Sequence, residues 1–212
     1  MKSVLVKNGN LVSLDDHYHF DKKDILIVDG LIKEISDMID VEADQVIDAT
    51  DLIVSPGLID IHTHVFVDGS INGVDADFIG VKRGTTTLLD AGSSGPENFE
   101  HFKESVIDVK ETKVFSILNI SKQGLVELKE LNDLNKIDTD LVKEMVSKYP
   151  KEIVGIKARA SSSVCGDLGI TPIEIATRTA HELKIPIMIH AGNYPPYIED
   201  VLNLMANTDV LT

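Results

Sequence analysis

After Pro56-Gly57 the chain repeats one unit, an apolar strand followed by a loop and a helix. Segments 58–65, 85–91, 113–120, 152–160 and 185–191 read as strands, and 209–212 begins a sixth. Segments 75–83, 96–110, 139–148, 171–184 and 197–206 read as the helices between them. Ser94 suits an N-cap, and Thr171-Pro172-Ile173-Glu174 has the form of a capping box with an early proline. Strands apolar on both faces and separated by helices imply an α/β fold with a parallel sheet under helices. A doubly wound sheet and a (β/α)8 barrel both fit. No Gly-rich phosphate fingerprint follows the first strand, which weighs against the dinucleotide-binding version. A closed barrel takes about 250 residues. Residues 55–212 are therefore expected to form an incomplete barrel that stops in its sixth strand, an N-terminal fragment with open sheet edges.

Residues 1–54 read as a small β domain. Val4-Leu5-Val6 and Leu11-Val12 flank an apparent turn at Asn8-Gly9-Asn10. Segments 24–28 and 31–35 meet across Asp29-Gly30, a strong two-residue hairpin signal. Short strands at 45–48 and 52–54 follow. Asp and Glu number 35 against 20 Lys and Arg, a formal charge of −15, so phosphate backbones and anionic lipid are repelled. Nucleic acid and membrane are thus poor partners, and a small-molecule substrate is expected, with homo-oligomerisation open. The one cysteine, Cys165, excludes an internal disulfide and fits a reducing compartment. No signal-peptide core or membrane-length apolar run is present, so the expected location is the cytoplasm.

Chemistry concentrates at the C-terminal ends of the strands, where barrel active sites are built. Alternate strand residues share a face, so Asp60, His62 and His64 point one way. On the fourth strand Ile153, Gly155, Lys157 and Arg159 share one face, and Val154, Ile156, Ala158 and Ala160 the other, apolar one. That places Lys157 inside the sheet's curve, where burial depresses an amine's pKa. A neutral amine can take up CO2 to give a carbamate able to bridge two ions, and the competing reading is a salt bridge to Asp60 or Asp90. His190 shares a face with Met188 at the end of the fifth strand. His62, His64, Lys157 and His190 together suit zinc or another borderline divalent metal. Arg159 is a candidate for binding a substrate carboxylate, with a structural ion pair as the alternative. Asp90 is a candidate to orient a metal-bound histidine from behind. Asn193 and Tyr194 are placed to line the pocket, while Cys165 fills loop space. His17, His19, His101 and His181 read as surface histidines.

The stretch VSPGLIDIHTHVF resembles the first barrel strand of the amidohydrolase superfamily, whose members include dihydroorotases, hydantoinases and deacetylases. DILIVDGLIKEI and QVIDATDLIVSPG are similar to the small β domain of these enzymes, and the likeness runs through essentially the whole chain. GTTTLLDAGSSG, VGIKARASSSVCGDLGITP and IMIHAGN resemble the amidohydrolase/deacetylase branch. The resemblance implies that His62 and His64 hold one metal, carboxylated Lys157 bridges two, and His190 holds the second. It further implies a hydroxide, made available by the metals, that attacks an amide or ester carbonyl. A sixth-strand histidine and an eighth-strand catalytic aspartate are also implied; both would lie beyond Thr212, so no catalytic residue of that kind is expected here and the chain alone is expected to be inactive. Dihydroorotases carry an arginine two residues after the second histidine, and this chain has Phe66 there. The leading expectation is a deacetylase-like hydrolase of a small N-acyl or O-acyl substrate. The alternatives are a dihydroorotase- or hydantoinase-type cyclic amide hydrolase, and a non-catalytic metal-binding remnant.

Overall fold

The computed structural model describes residues 2–13 and 18–212. The chain divides into two compact units, Met1–Leu58 and Ile59–Thr212. In the first, β1 (Ser3–Leu11) pairs antiparallel with β2 (Lys22–Val28), which pairs antiparallel with β3 (Leu31–Ser36). The short strands β4 (Gln45–Asp48) and β5 (Ile53–Val54) lie parallel to β1. Asp29 and Gly30 adopt φ of 50° and 80°, the left-handed pair that a two-residue hairpin turn needs. The turn expected at Asn8-Gly9-Asn10 does not form. Instead β1 runs through it with a register slip between Val6 and Gly9, and Asn8 sits at φ 62° with its N–H donated to Asp24. A bulge absorbs the extra residue there without ending the strand.

The second unit is a curled sheet of six strands in chain order. These are β6 (Leu58–Thr63), β7 (Thr85–Ala91), β8 (Lys113–Asn119), β9 (Ile153–Ala160), β10 (Ile187–Ala191) and β11 (Val210–Leu211). The sheet is parallel and forms a half-barrel. Its convex face carries Leu88, Leu118, Ile156, Ala158 and Ile189. These pack against Val142 and Val146 of α3 (Thr139–Lys148), and Ile173, Ala176 and Ala180 of α5 (Thr171–Leu183). Its concave face carries a smaller apolar group, Ala91, Ile117 and Met188 with Leu89, Val154 and Val210.

The strict alternation expected along β9 fails at its start. Ser116 of β8 pairs with Ile153 and Ile117 with Gly155, so Val154 is an extra residue opposite β8. Ile153 therefore joins the convex core and Val154 the concave one, the reverse of the expectation. Beyond the bulge, Ile156, Ala158 and Ala160 face the helices.

α3 has the expected bounds and α5 ends one residue early, whereas other helical segments are shorter than their sequences suggest. Residues 75–83 form one turn, α1 (Ala76–Ile79), capped by Asp75, followed by a 3-10 turn at Val81–Arg83. Gly80 separates them at φ −88° and ψ −114°, in a place where a β-carbon would lie 2.3 Å from Thr112 Oγ1. Ser94 does not cap the next helix. Asn98 occupies that position before α2 (Phe99–Phe102), which widens into a π-helical turn at Lys103–Ile107. The Thr171 capping box is also absent: Ile170 holds the cap, and Thr171 is already helical. The remaining helices are α4 (Ser162–Cys165) and α6 (Ile198–Leu204). No helix of the described residues is long and apolar enough to cross a membrane.

Candidate metal centre

The ends of β6, β9 and β10 bring four side chains together in the second unit. The His62 ring lies 5.6 Å from His64 and 5.7 Å from His190, centroid to centroid, and is nearly perpendicular to both. Lys157 passes beneath them, its Nζ 3.3 Å from His62 Nε2. The lysine is 1% exposed, and among the described residues no ion pair to it from Asp60 or Asp90 is formed. Burial, reinforced by the nearby Arg159 guanidinium, lowers its pKa to about 7. Burial also lowers His62 and His64 to about 4, and His190 in the same direction. At neutral pH the cluster therefore presents uncharged imidazoles and an amine that is substantially free base.

Among the described residues no three His, Cys, Asp or Glu side chains converge as a metal-binding group. The three imidazoles are instead distributed around Lys157. Neutral imidazoles beside an amine that is largely free base are donors of the kind a divalent metal takes.

The turn after β7 supports this cluster. Asp90 is fully buried, and its carboxylate accepts from the backbone N–H of Val65 at 2.8 Å and of Ser93 at 2.7 Å. Burial outweighs these bonds and pushes the carboxyl up to about 6. Among the described residues Asp90 hydrogen-bonds no imidazole directly; Ser93 Oγ is the group 3.0 Å from His64 Nδ1. Next to it Gly92 sits at φ 86°, and a β-carbon there would lie 2.7 Å from Lys157 Cγ. Asn119, buried and opposite Lys157 on β8, donates to the Gly92 carbonyl at 3.1 Å. Gly92→Ala is expected to cost about 2 kcal/mol of stability, combining a left-handed backbone with a clash. A shifted urea midpoint checks it, and an unchanged midpoint contradicts the close approach.

The other candidates are engaged elsewhere. Arg159 forms the structural ion pair: Nε donates to Glu130 Oε1 at 2.6 Å, and Nη2 to Glu130 Oε2 and to the Leu128 carbonyl. Asn193 ties the loop after β10 to the start of α4 through Ser162 and Ser163. Cys165 is buried in α4, with its thiol on the Arg159 carbonyl. Tyr194 is exposed and bonded to Tyr197 at 2.7 Å. Phe66 is buried against Phe102 and His101, His181 pairs with Asp209 at 2.8 Å, and His19 is exposed against Phe20. His17 lies outside the described residues. Gly92, Ser93, Asn119 and Glu130 were not indicated by spacing. The glycine after β7 in DAGSSG is the one sequence signal that could have drawn attention to that turn.

No family model matches the chain. It is 46% identical over 160 residues to a deacetylase of Enterococcus faecalis, covering 75% of this chain and 43% of that one. It is 37% identical over 214 residues to a deacetylase of Agrobacterium fabrum, covering 99% of this chain and 53% of that one. Its fold superposes on the crystal structure of a dihydroorotase with a TM-score of 0.95 at 32% identity, and on that of an adenine deaminase with 0.88 at 38%. Both superpositions cover 100% of this chain and 56% of the other. The chain belongs to the amidohydrolase superfamily. It spans about half the length of the curated relatives it matches.

Proposed function

We propose that this protein is a metal-dependent hydrolase of an acyl amide or ester in a small N-acyl or O-acyl substrate. The observation that carries the reading is Lys157, buried and without an acidic partner among the described residues, with neutral imidazoles beside it. A buried lysine is costly and is retained where its chemistry is used. As a free amine it can bond to the carbon of CO2 and lose a proton, leaving a carbamate with two oxygen donors. His62 and His64 then hold one divalent ion and His190 helps hold the second, with zinc the metal that best suits the donors. Such ions supply Lewis acidity toward the scissile carbonyl and a nucleophile from water near neutral pH.

The remaining residues prepare the site. Burial chiefly keeps the Lys157 amine uncharged, with added repulsion from the Arg159 guanidinium that the Glu130 carboxylate partly offsets while holding the guanidinium in place. Only N–H groups left over by that pair remain to Arg159 for a substrate carboxylate, and Asn193 shapes the loop after β10. The location proposed is the cytoplasm.

Similarity to two deacetylases supports the acyclic substrate. The cyclic-amide alternative draws on the superposition with a dihydroorotase. Against it, Phe66 stands where dihydroorotases carry an arginine and is buried in the core. Assays of the full-length enzyme supplied with zinc and bicarbonate, on N-acetyl amino acids and on cyclic ureides, decide between them. Turnover of the acyclic substrates is expected. Turnover of cyclic ureides alone, or of neither, contradicts the proposal.

A further inference from the structure

Two Asn-Gly pairs occur in the chain, Asn8-Gly9 and Asn72-Gly73. In such a pair the glycine has no β-carbon to keep its amide nitrogen away from the asparagine side chain. The fold treats the two pairs differently. Asn8 lies inside β1, with its N–H on Asp24 at 2.8 Å and its side-chain amide on Asp48 at 3.4 Å, and Gly9 pairs with Lys23 of β2. Asn72 lies exposed in the loop between β6 and α1, and among the described residues neither it nor Gly73 makes a hydrogen bond. The Asn72 side chain and the Gly73 nitrogen are free to meet, whereas at Asn8 the same approach breaks strand pairing.

The chain just after Asn72 is tied to the segment that carries His64. Val74 N–H donates to the His64 carbonyl at 3.0 Å. A β-carbon on Gly73 would lie 2.3 Å from the Phe66 carbonyl oxygen and 2.6 Å from Val67 Cα. The backbone at 73–74 thus rests directly on the backbone leaving β6, with no room for an added atom.

We propose that Asn72 is a site of spontaneous modification, converted through a succinimide to isoaspartate, and that the product detaches this loop from His64. The Gly73 nitrogen gives up its proton and bonds to Asn72 Cγ, and the side-chain nitrogen leaves with that proton as ammonia. Water then opens the ring, its hydroxyl staying on the carbon attacked and its proton returning to the Gly73 nitrogen. Attack at Cγ gives an ordinary aspartate. Attack at the main-chain carbonyl carbon breaks the original peptide bond and leaves the chain running through the side chain. No oxidant or reductant takes part. The isoaspartyl link adds a negative charge and lengthens the main chain by one methylene, which the contact at Gly73 cannot absorb.

The test ages the wild-type protein in warm, mildly alkaline buffer and maps isoaspartate by enzymatic methyl labelling and peptide mass spectrometry. Label is expected at Asn72 and not at Asn8 in the folded protein, and at both in urea. Asn72→Gln, whose cyclisation needs a larger ring, should lose the label. Hydrogen exchange of the isoaspartyl fraction should show the Val74 amide unprotected. Freshly prepared Asn72→Asp, which carries the charge without the extra methylene, should keep it protected. No label at Asn72 in folded wild type, or equal label at Asn8, overturns the modification site. Full protection of Val74 in the isoaspartyl fraction, or its loss in Asn72→Asp, overturns the effect of the added methylene on the contact with His64.

Discussion

Lys157→Met is expected to stabilise the metal-free protein at pH 7 while abolishing its capacity to hold metal. The lysine pKa falls from 10.5 in the unfolded chain to about 7 in the fold because burial penalises the ammonium. One pKa unit is about 1.4 kcal/mol, so the difference amounts to roughly 4 kcal/mol at pH 7. Loss of the contact with His62 and imperfect packing of the thioether reduce the expected net gain to about 3 kcal/mol. The sign follows from proton uptake. Below pH 7 both states are protonated and the native state carries the full penalty. The penalty shrinks as pH rises from 7 toward 10.5 and is gone above it. The advantage of Lys157→Met should therefore be largest at and below neutral pH and fade under alkaline conditions. Urea denaturation in chelator, without bicarbonate, at several pH values checks this. A methionine variant less stable than wild type at pH 7 would show that the lysine is better solvated or paired than its burial indicates.

Glu130→Ala should have a large effect in the opposite direction. The Glu130 side chain is 2% exposed and that of Arg159 18%, so removing the carboxylate strands a mostly buried guanidinium. Breaking a fully buried pair costs about 3–5 kcal/mol; the residual exposure of Arg159 places this one at about 2–3 kcal/mol. Glu130→Gln, which keeps shape and an acceptor, should lose less. Adding Arg159→Ala to Glu130→Ala should restore part of the stability, because no unpaired charge then remains. Urea midpoints for the four proteins of this double-mutant cycle provide the check. A loss under about 1 kcal/mol in Glu130→Ala would contradict the buried pairing.

The features that proved legible in the sequence are those set by local periodicity. The Asp29-Gly30 hairpin needs only two residues able to adopt positive φ, and both do. The strands of the half-barrel announce themselves as apolar runs, and their parallel order places the ends that carry Lys157 and His190 side by side, while the curl of the sheet brings His62 of β6 across to them. What was illegible depends on contacts between distant segments. The Asn8-Gly9-Asn10 segment has the composition of a turn, but Asn8 N–H is taken by Asp24 and β1 continues. The bulge at Val154 is invisible without β8 opposite it. Ser94 has the residue type of an N-cap yet lies buried, with its hydroxyl unpartnered in the structure, because the chain before α2 packs against the loop after β8. Glu130 reads as one more acid in a charged loop until Arg159 is seen to reach it. For the candidate site, strand parity was enough to select the clustered residues but not those that hold them, Gly92, Ser93 and Asn119.

The central claim, that Lys157 is the bridge of a metal centre, meets its most direct test in 13C NMR of protein supplied with zinc and 13C-labelled bicarbonate. A protein-bound carbamate resonance accompanied by retained zinc is expected, with both lost in Lys157→Met. Absence of the resonance in wild type, or zinc retained equally by Lys157→Met, would contradict it.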